Sequence, residues 1–215
     1  APPEKYAHLN GVPDAIDHRL VLLLVGLNPG VTTATVGHAY SNKTNRFWRY
    51  LNSSGLTPDR IVPSLEDQTL PGKYSLGLTN LVSRPTNDQA ELSKKEMDDS
   101  VPELEGKIRK YKPEAACIVG KGIWDSIYRA RHGKKIPTKG FEYGWQEGEW
   151  LGVEEGWQGA KVFVSPSTSG LVTINQEKMG GIWKVLGDWA SERRKKRGIK
   201  VPGEKSVSGK APPEV

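Results

Sequence analysis

Three short segments carry residue types that could do chemistry. Val21–Leu27 is apolar and runs straight into Asn28-Pro29-Gly30. A buried strand that ends this way delivers one polar side chain to the edge of a sheet. Pro29 stiffens the exit, and Gly30 permits close approach or an unusual backbone angle. A neutral amide cannot take up a proton, so Asn28 can only orient a water. Asn-Pro-Gly is equally an ordinary turn. The second segment, Gly37-His-Ala-Tyr40-Ser-Asn-Lys-Thr-Asn45-Arg-Phe-Trp48, is a polar loop with one aromatic and one histidine. Tyr40 could stack on a planar ligand such as a base, or it could simply pack the loop, with Asn45 as a helix cap. The third, Phe163–Val172, offers Ser167, Ser169, Gly170 and Leu171. Hydroxyls and backbone N–H groups can grip a phosphate, and an apolar tip can wedge into a base stack. A serine-rich loop with Leu171 tucked into the core is the plainer alternative.

Other chemistries find less support. G-x-G-x-x-G and G-x-x-x-x-G-K-[ST] are both absent, so no nucleotide cofactor is expected. The histidines at 8, 18, 38 and 132 have no metal-ligand spacing, and the single Cys117 excludes a disulfide framework and a multi-cysteine zinc site. His38 is the one residue of the Gly37–Trp48 stretch able to titrate near neutrality, which makes it a secondary candidate base. No lysine stands out as a Schiff-base nucleophile.

The elements that must hold these segments alternate. Leu20–Leu27, Tyr74–Val82, Ala115–Gly120 and Lys161–Ser165 are dense in Val, Leu and Ile, as strands covered on both faces are. Helical patterns fall at Thr44–Ser54, Leu92–Tyr111, Lys121–Arg131 and Asn175–Arg197. The second opens with Ser93-Lys-Lys-Glu96, a capping box that would satisfy two backbone N–H groups, and contains Pro102, which kinks or divides it. This order predicts a three-layer α/β/α sandwich with a mostly parallel sheet, its ligands beyond the carboxyl ends of the strands. Gly133–Gly159 lacks a period and is expected as long loops that could include one irregular strand pair. The expected organisation is a loose segment 1–16, one domain over 17–197 and a flexible tail 198–215.

The formal charge is +6, and the run Glu192–Lys200 holds six basic residues and one acid. Such a run suits a polyanion partner or a nuclear import signal; a solvated helix end suits it equally. No apolar run reaches membrane-spanning length. The sequons at Asn42 and Asn52 follow no secretory leader and are expected to be accidental.

Taken together and in this order, the segments resemble the thymine-DNA glycosylase and mismatch-specific uracil-DNA glycosylase family. The resemblance extends to Thr69-Leu-Pro-Gly-Lys-Tyr74, Thr79-Asn-Leu-Val-Ser-Arg-Pro-Thr86, Lys112-Pro113 and Gly120-Lys121, and it spans residues 20 to 190. It implies a uracil-glycosylase-like fold and a monofunctional enzyme that flips a mismatched uracil or thymine out of double-stranded DNA. It further implies that Asn28 holds the catalytic water and that Leu27, Tyr40, Asn45 and Asn80 form or support the base pocket. Ser167 and Ser169 would grip phosphate, and Gly170 with Leu171 would fill the hole left by the base. The implied partner is duplex DNA with a G·U or G·T mismatch, or with 5-formyl- or 5-carboxylcytosine. The enzyme would need no cofactor or metal, act as a monomer and work in the nucleus. Two positions pull apart: Leu171 matches the bacterial uracil enzymes, where vertebrate thymine glycosylases have arginine, whereas Asn80 matches the vertebrate side, where the bacterial enzymes have lysine. The loop 133–159 aligns only through Phe141-Glu-Tyr-Gly-Trp-Gln146.

Overall fold

The computed structural model describes residues 2–137, 140–170 and 173–204. Five strands form one sheet in the order β2-β1-β3-β5-β4. They are β1 (Leu22–Gly26), β2 (Leu76–Asn80), β3 (Ala115–Val119), β4 (Gly144–Leu151) and β5 (Ala160–Ser165). The pairs β1–β2, β1–β3 and β3–β5 are parallel, and β4 is antiparallel to β5.

Alternation along the strands sorts the core into two layers, because successive side chains leave a strand on opposite faces. Leu22, Leu24, Cys117 and Phe163 pack beneath α2 (Phe47–Ser53), α3 (Leu70–Tyr74) and α7 (Gln176–Lys196). Leu23, Val25, Ile118 and Val164 pack beneath α5 (Val101–Tyr111) and α6 (Lys121–His132). The fold is the expected α/β/α sandwich. Two short helices were not anticipated, α1 (Val31–Val36) directly after Asn28-Pro29-Gly30 and α3, which continues a 3-10 turn over Ser64–Thr69. Neither has the length for an apolar period to emerge.

Pro102 divides the expected long helix into α4 (Lys94–Asp99) and α5. The capping box forms by half. Ser93 Oγ accepts the Glu96 N–H at 3.0 Å, but the Glu96 carboxylate turns away to grip the Arg84 guanidinium. A two-point bond to a cation outweighs one to a neutral backbone N–H. Arg84 in turn holds the Glu96 carboxyl below its ordinary pKa, so this contact persists at neutral pH. Within Gly133–Gly159 the irregular strand allowed for is β4, at the edge of the sheet. Its pairing breaks register between Trp145 and Trp150, which erases the alternation a strand would show.

The helices of the first layer approach closely. A Cβ on Gly187 of α7 would lie 1.8 Å from the backbone oxygen of Ser54, at the end of α2. Gly187→Ala is therefore expected to destabilise the protein by about 1–3 kcal/mol, as overpacking against immobile backbone does. A urea unfolding midpoint indistinguishable from wild type would show that the two helices are free to separate.

Half of the basic run is committed to structure. Arg194 is fully buried and donates to Tyr74 O at 3.0 Å and Leu56 O at 2.8 Å, and burial lowers its pKa to about 10. Arg193 and Arg197 both bond Glu114, and Arg197 also donates to Arg19 O. Glu114, Arg19 and Tyr74 precede β3, β1 and β2, so this end of α7 lies at the amino ends of the strands. A phosphate-binding role for the run is thus replaced by a structural one for these three arginines.

Particular residues of the two terminal segments are tied to the domain. Ala15 is buried and exchanges two backbone hydrogen bonds with Leu78, and Lys5 pairs with Glu91 at 2.6 Å. Ile199 N–H donates to Arg194 O, and Val201 is buried against the first layer.

Candidate active site at the carboxyl ends of the strands

The carboxyl ends of β1 and β2 bring the expected residues together. Two residues beyond β1, Asn28 donates from Nδ2 to the carbonyl of Arg84 at 3.0 Å and to Thr86 Oγ1 at 2.8 Å. A carbonyl can only accept, which fixes the amide orientation. Both Nδ2 hydrogens are then used, and Oδ1 has no donor among the described residues. The Arg84–Thr86 strap is itself held, because Thr86 N–H donates to Pro29 O at 3.1 Å and Arg84 is clamped by Glu96. The strap lay within the stretch matched by resemblance, but nothing in its residue types marked Thr86 as the partner of Asn28.

The floor of the site is Gly26, the last residue of β1. A Cβ there would lie 2.6 Å from Asn80 Oδ1 and 2.7 Å from the Tyr40 hydroxyl. Two polar side chains from separate elements therefore converge over one bare backbone position. Tyr40 stacks on Phe47 with ring centroids 3.7 Å apart and planes within 9°. Phe47 covers one face of the ring, which also packs against the first layer of the core. The Tyr40 hydroxyl is buried without a hydrogen-bond partner among the described residues, and burial drives its pKa upward.

The remaining candidates take supporting places. Leu27 packs its side chain on the second layer, so it meets this site through its backbone alone. Asn45 Oδ1 accepts the Phe47 N–H at 2.9 Å, so it starts α2 and sets Phe47 beneath Tyr40. His38 has its Nδ1 2.9 Å from Asp67 Oδ1, a buried carboxylate not foreseen from the sequence. Ser167 lies beside Gly120, whose φ of +138°, a value side-chain-bearing residues rarely adopt, turns β3 into α6. Ser169 N–H donates to Ser167 Oγ at 3.3 Å, a tight local turn. This loop is tied to the Tyr40 loop, because Arg46 N–H donates to Thr168 O at 3.0 Å and Gly170 abuts Thr44. Leu171 lies outside the described residues.

The charge around the site comes from an unexpected place. Between Asp17 and Asp59 the chain has no acid, and it carries Lys43, Arg46 and Arg49 there. None of these three makes an ion pair among the described residues, whereas Lys121, at the start of α6, is paired with Asp125. The signal was legible as an absence of acids, not as a dense cationic run.

Residues 13–187 match the family model described as the uracil DNA glycosylase superfamily. Over 191 residues the chain is 38% identical to a protein of Schizosaccharomyces pombe named G/U mismatch-specific uracil DNA glycosylase. The alignment covers 87% of this chain and 56% of that protein, so the chain spans little more than half the relative's length. A strand-end amide held by its neighbours, an aromatic platform beside it and a match over most of the chain lead to one conclusion: the chain belongs to the uracil DNA glycosylase superfamily.

Proposed function

We propose that this chain is a monofunctional DNA glycosylase that removes uracil from G·U mismatches in double-stranded DNA, initiating base excision repair. The observation that carries the reading is the Asn28 amide, whose donors are both spent on Arg84 O and Thr86 while Oδ1 stays open to accept from a water. The target bond is hidden in the duplex, so the nucleotide must be flipped, which costs least at a mismatch. The base is received beside the Tyr40 ring, above Gly26. As the glycosidic bond lengthens, the sugar gains oxocarbenium character and the base gains negative charge. The Asn80 amide and backbone N–H groups near Leu27 stabilise that charge, and the water on Asn28 attacks the sugar. A held but undeprotonated water makes the leaving group decisive, so uracil is excised faster than thymine, whose methyl group donates electrons. 5-Formyl- and 5-carboxylcytosine are proposed as further substrates on the same ground.

Ser167, Ser169 and Gly170 grip the backbone beside the flipped nucleotide, and Leu171, by its place in the chain, fills the vacated stack. Lys43, Arg46 and Arg49 are proposed to meet phosphates. If each contacts one, changing each to alanine should weaken binding to any duplex and lower the slope of log K against log salt by about 0.9. An unchanged slope in the triple variant would move the DNA to another face. The enzyme is proposed to act as a monomer, without a cofactor, in the nucleus.

The test is single-turnover base release from duplexes carrying G·U, G·T, A·U and G·5-carboxylcytosine. Release from G·U above A·U, with strand breaks only after alkali, supports the proposal. Breaks without alkali would indicate a lyase, and no release from any duplex would leave a DNA-binding module of this fold.

A further inference from the structure

Asp67 has no part in the mechanism above, yet its carboxylate is completely buried, in the 3-10 turn before α3. Burying a carboxylate is costly unless its lone pairs are used. Asp67 Oδ2 accepts the Ala39 N–H at 2.7 Å, and Oδ1 lies 2.9 Å from His38 Nδ1. One carboxylate thus holds the two residues immediately before Tyr40. Tyr40 itself has φ +52°, in the left-handed region. For a residue with a side chain this costs about 1–2 kcal/mol, and it persists only where the surroundings over-determine it. The phenol does not supply that constraint, because its hydroxyl has no hydrogen-bond partner among the described residues. Stacking on Phe47 fixes the ring plane, and Ser41 Oγ donates to His38 O at 2.6 Å from the far side. Among the described residues, the carboxylate that anchors the turn is that of Asp67.

We infer that Asp67 is a positioning residue for the base pocket: its buried carboxylate holds His38 and Ala39 so that Tyr40 keeps the left-handed backbone that sets its ring, stacked on Phe47, over Gly26 where the flipped base is received. The inference rests on the glycosylase reading for the identity of that base. It joins an element with no sequence motif, the 3-10 turn, to substrate selection.

A double-mutant cycle between Asp67 and Tyr40 tests it, read as the single-turnover rate at saturating enzyme on G·U duplex. Misplacement of a positioning group by about 1 Å can cost 10²-fold, so Asp67→Ala should slow release by about 10–100-fold. In a Tyr40→Ala background the same change should cost less than about 3-fold, because the effect passes through Tyr40. Asp67→Asn keeps an oxygen for the Ala39 N–H and should recover most of the loss. Binding of an abasic duplex, which has no base to stack, should stay within about 2-fold. Equal losses in both backgrounds, or no loss in the first, would overturn the inference. If Asp67→Ala does not fold by thermal melting, His38→Ala, which removes one of the two contacts of the Asp67 carboxylate, carries the cycle in its place. Affinity for a G·U duplex containing 2′-fluoro-deoxyuridine, whose glycosidic bond resists hydrolysis, gives a second reading. Should the wild type release no uracil, coupling in that affinity would leave Asp67 standing while the glycosylase reading falls. Additivity there would remove both.

Discussion

Asn28→Ala is expected to slow single-turnover release of uracil by about 10²–10³-fold, the loss typical when one preorganised hydrogen-bonding group leaves an active site. The side chain is short, stands just beyond the rigid end of β1 and spends both its hydrogens on fixed acceptors, Arg84 O and Thr86 Oγ1. Water on Oδ1 therefore has a defined place before the base arrives, and alanine leaves it without one. Because the amide touches the water and not the duplex, binding of G·U DNA should change by no more than a few-fold. A large loss of binding with little change in the saturated rate would assign Asn28 to DNA recognition instead. Thr86→Val should reproduce part of the rate loss, since it removes one acceptor and frees the amide to turn.

Gly26→Ala should be nearly as damaging. The added methyl would sit within 2.7 Å of both the Tyr40 hydroxyl and Asn80 Oδ1, and β1 behind it, paired on both sides, cannot retreat. Tyr40 and Asn80 must then be pushed off the site together. The expected loss in the saturated rate is about 10²-fold or more. Non-specific duplex binding, which uses phosphate contacts, should survive. Combining Gly26→Ala with Tyr40→Phe removes one of the two clashing atoms and should recover part of the rate. Absence of any recovery, with normal thermal stability, would mean that the pocket does not stand over Gly26.

The three-layer architecture could be read in the sequence because strands buried on both faces leave continuous apolar runs, as in Val21–Val25 and Ala115–Val119. β4 escaped because it is an edge strand whose register shift breaks the alternation. Asn28 and Asn80 drew attention because they stand at or near strand ends, and Tyr40 because it stands in the loop after α1, each within a motif matched by resemblance. Their partners did not. Thr86 and Asp67 act through folded proximity, 58 and 28 residues distant from Asn28 and Ala39, and such a separation leaves no local pattern. The role of the basic run was not legible, for the complementary reason. Composition counts charges, whereas Glu114 and the carbonyls of Leu56, Tyr74 and Arg19 decide which of them reach solvent.

The central claim is that a neutral amide holds the attacking water and no side chain deprotonates it. The pH dependence of single-turnover uracil release from G·U duplex, for wild type and His38→Ala, tests it most directly. An amide does not titrate, so the wild-type rate should be flat from about pH 6 to 8. A histidine base must be neutral to act, so it would impose a fall in rate toward acid. A flat profile in both proteins is the predicted result. A wild-type rate that falls in acid, with the fall abolished in His38→Ala, would contradict the account and make His38 the base.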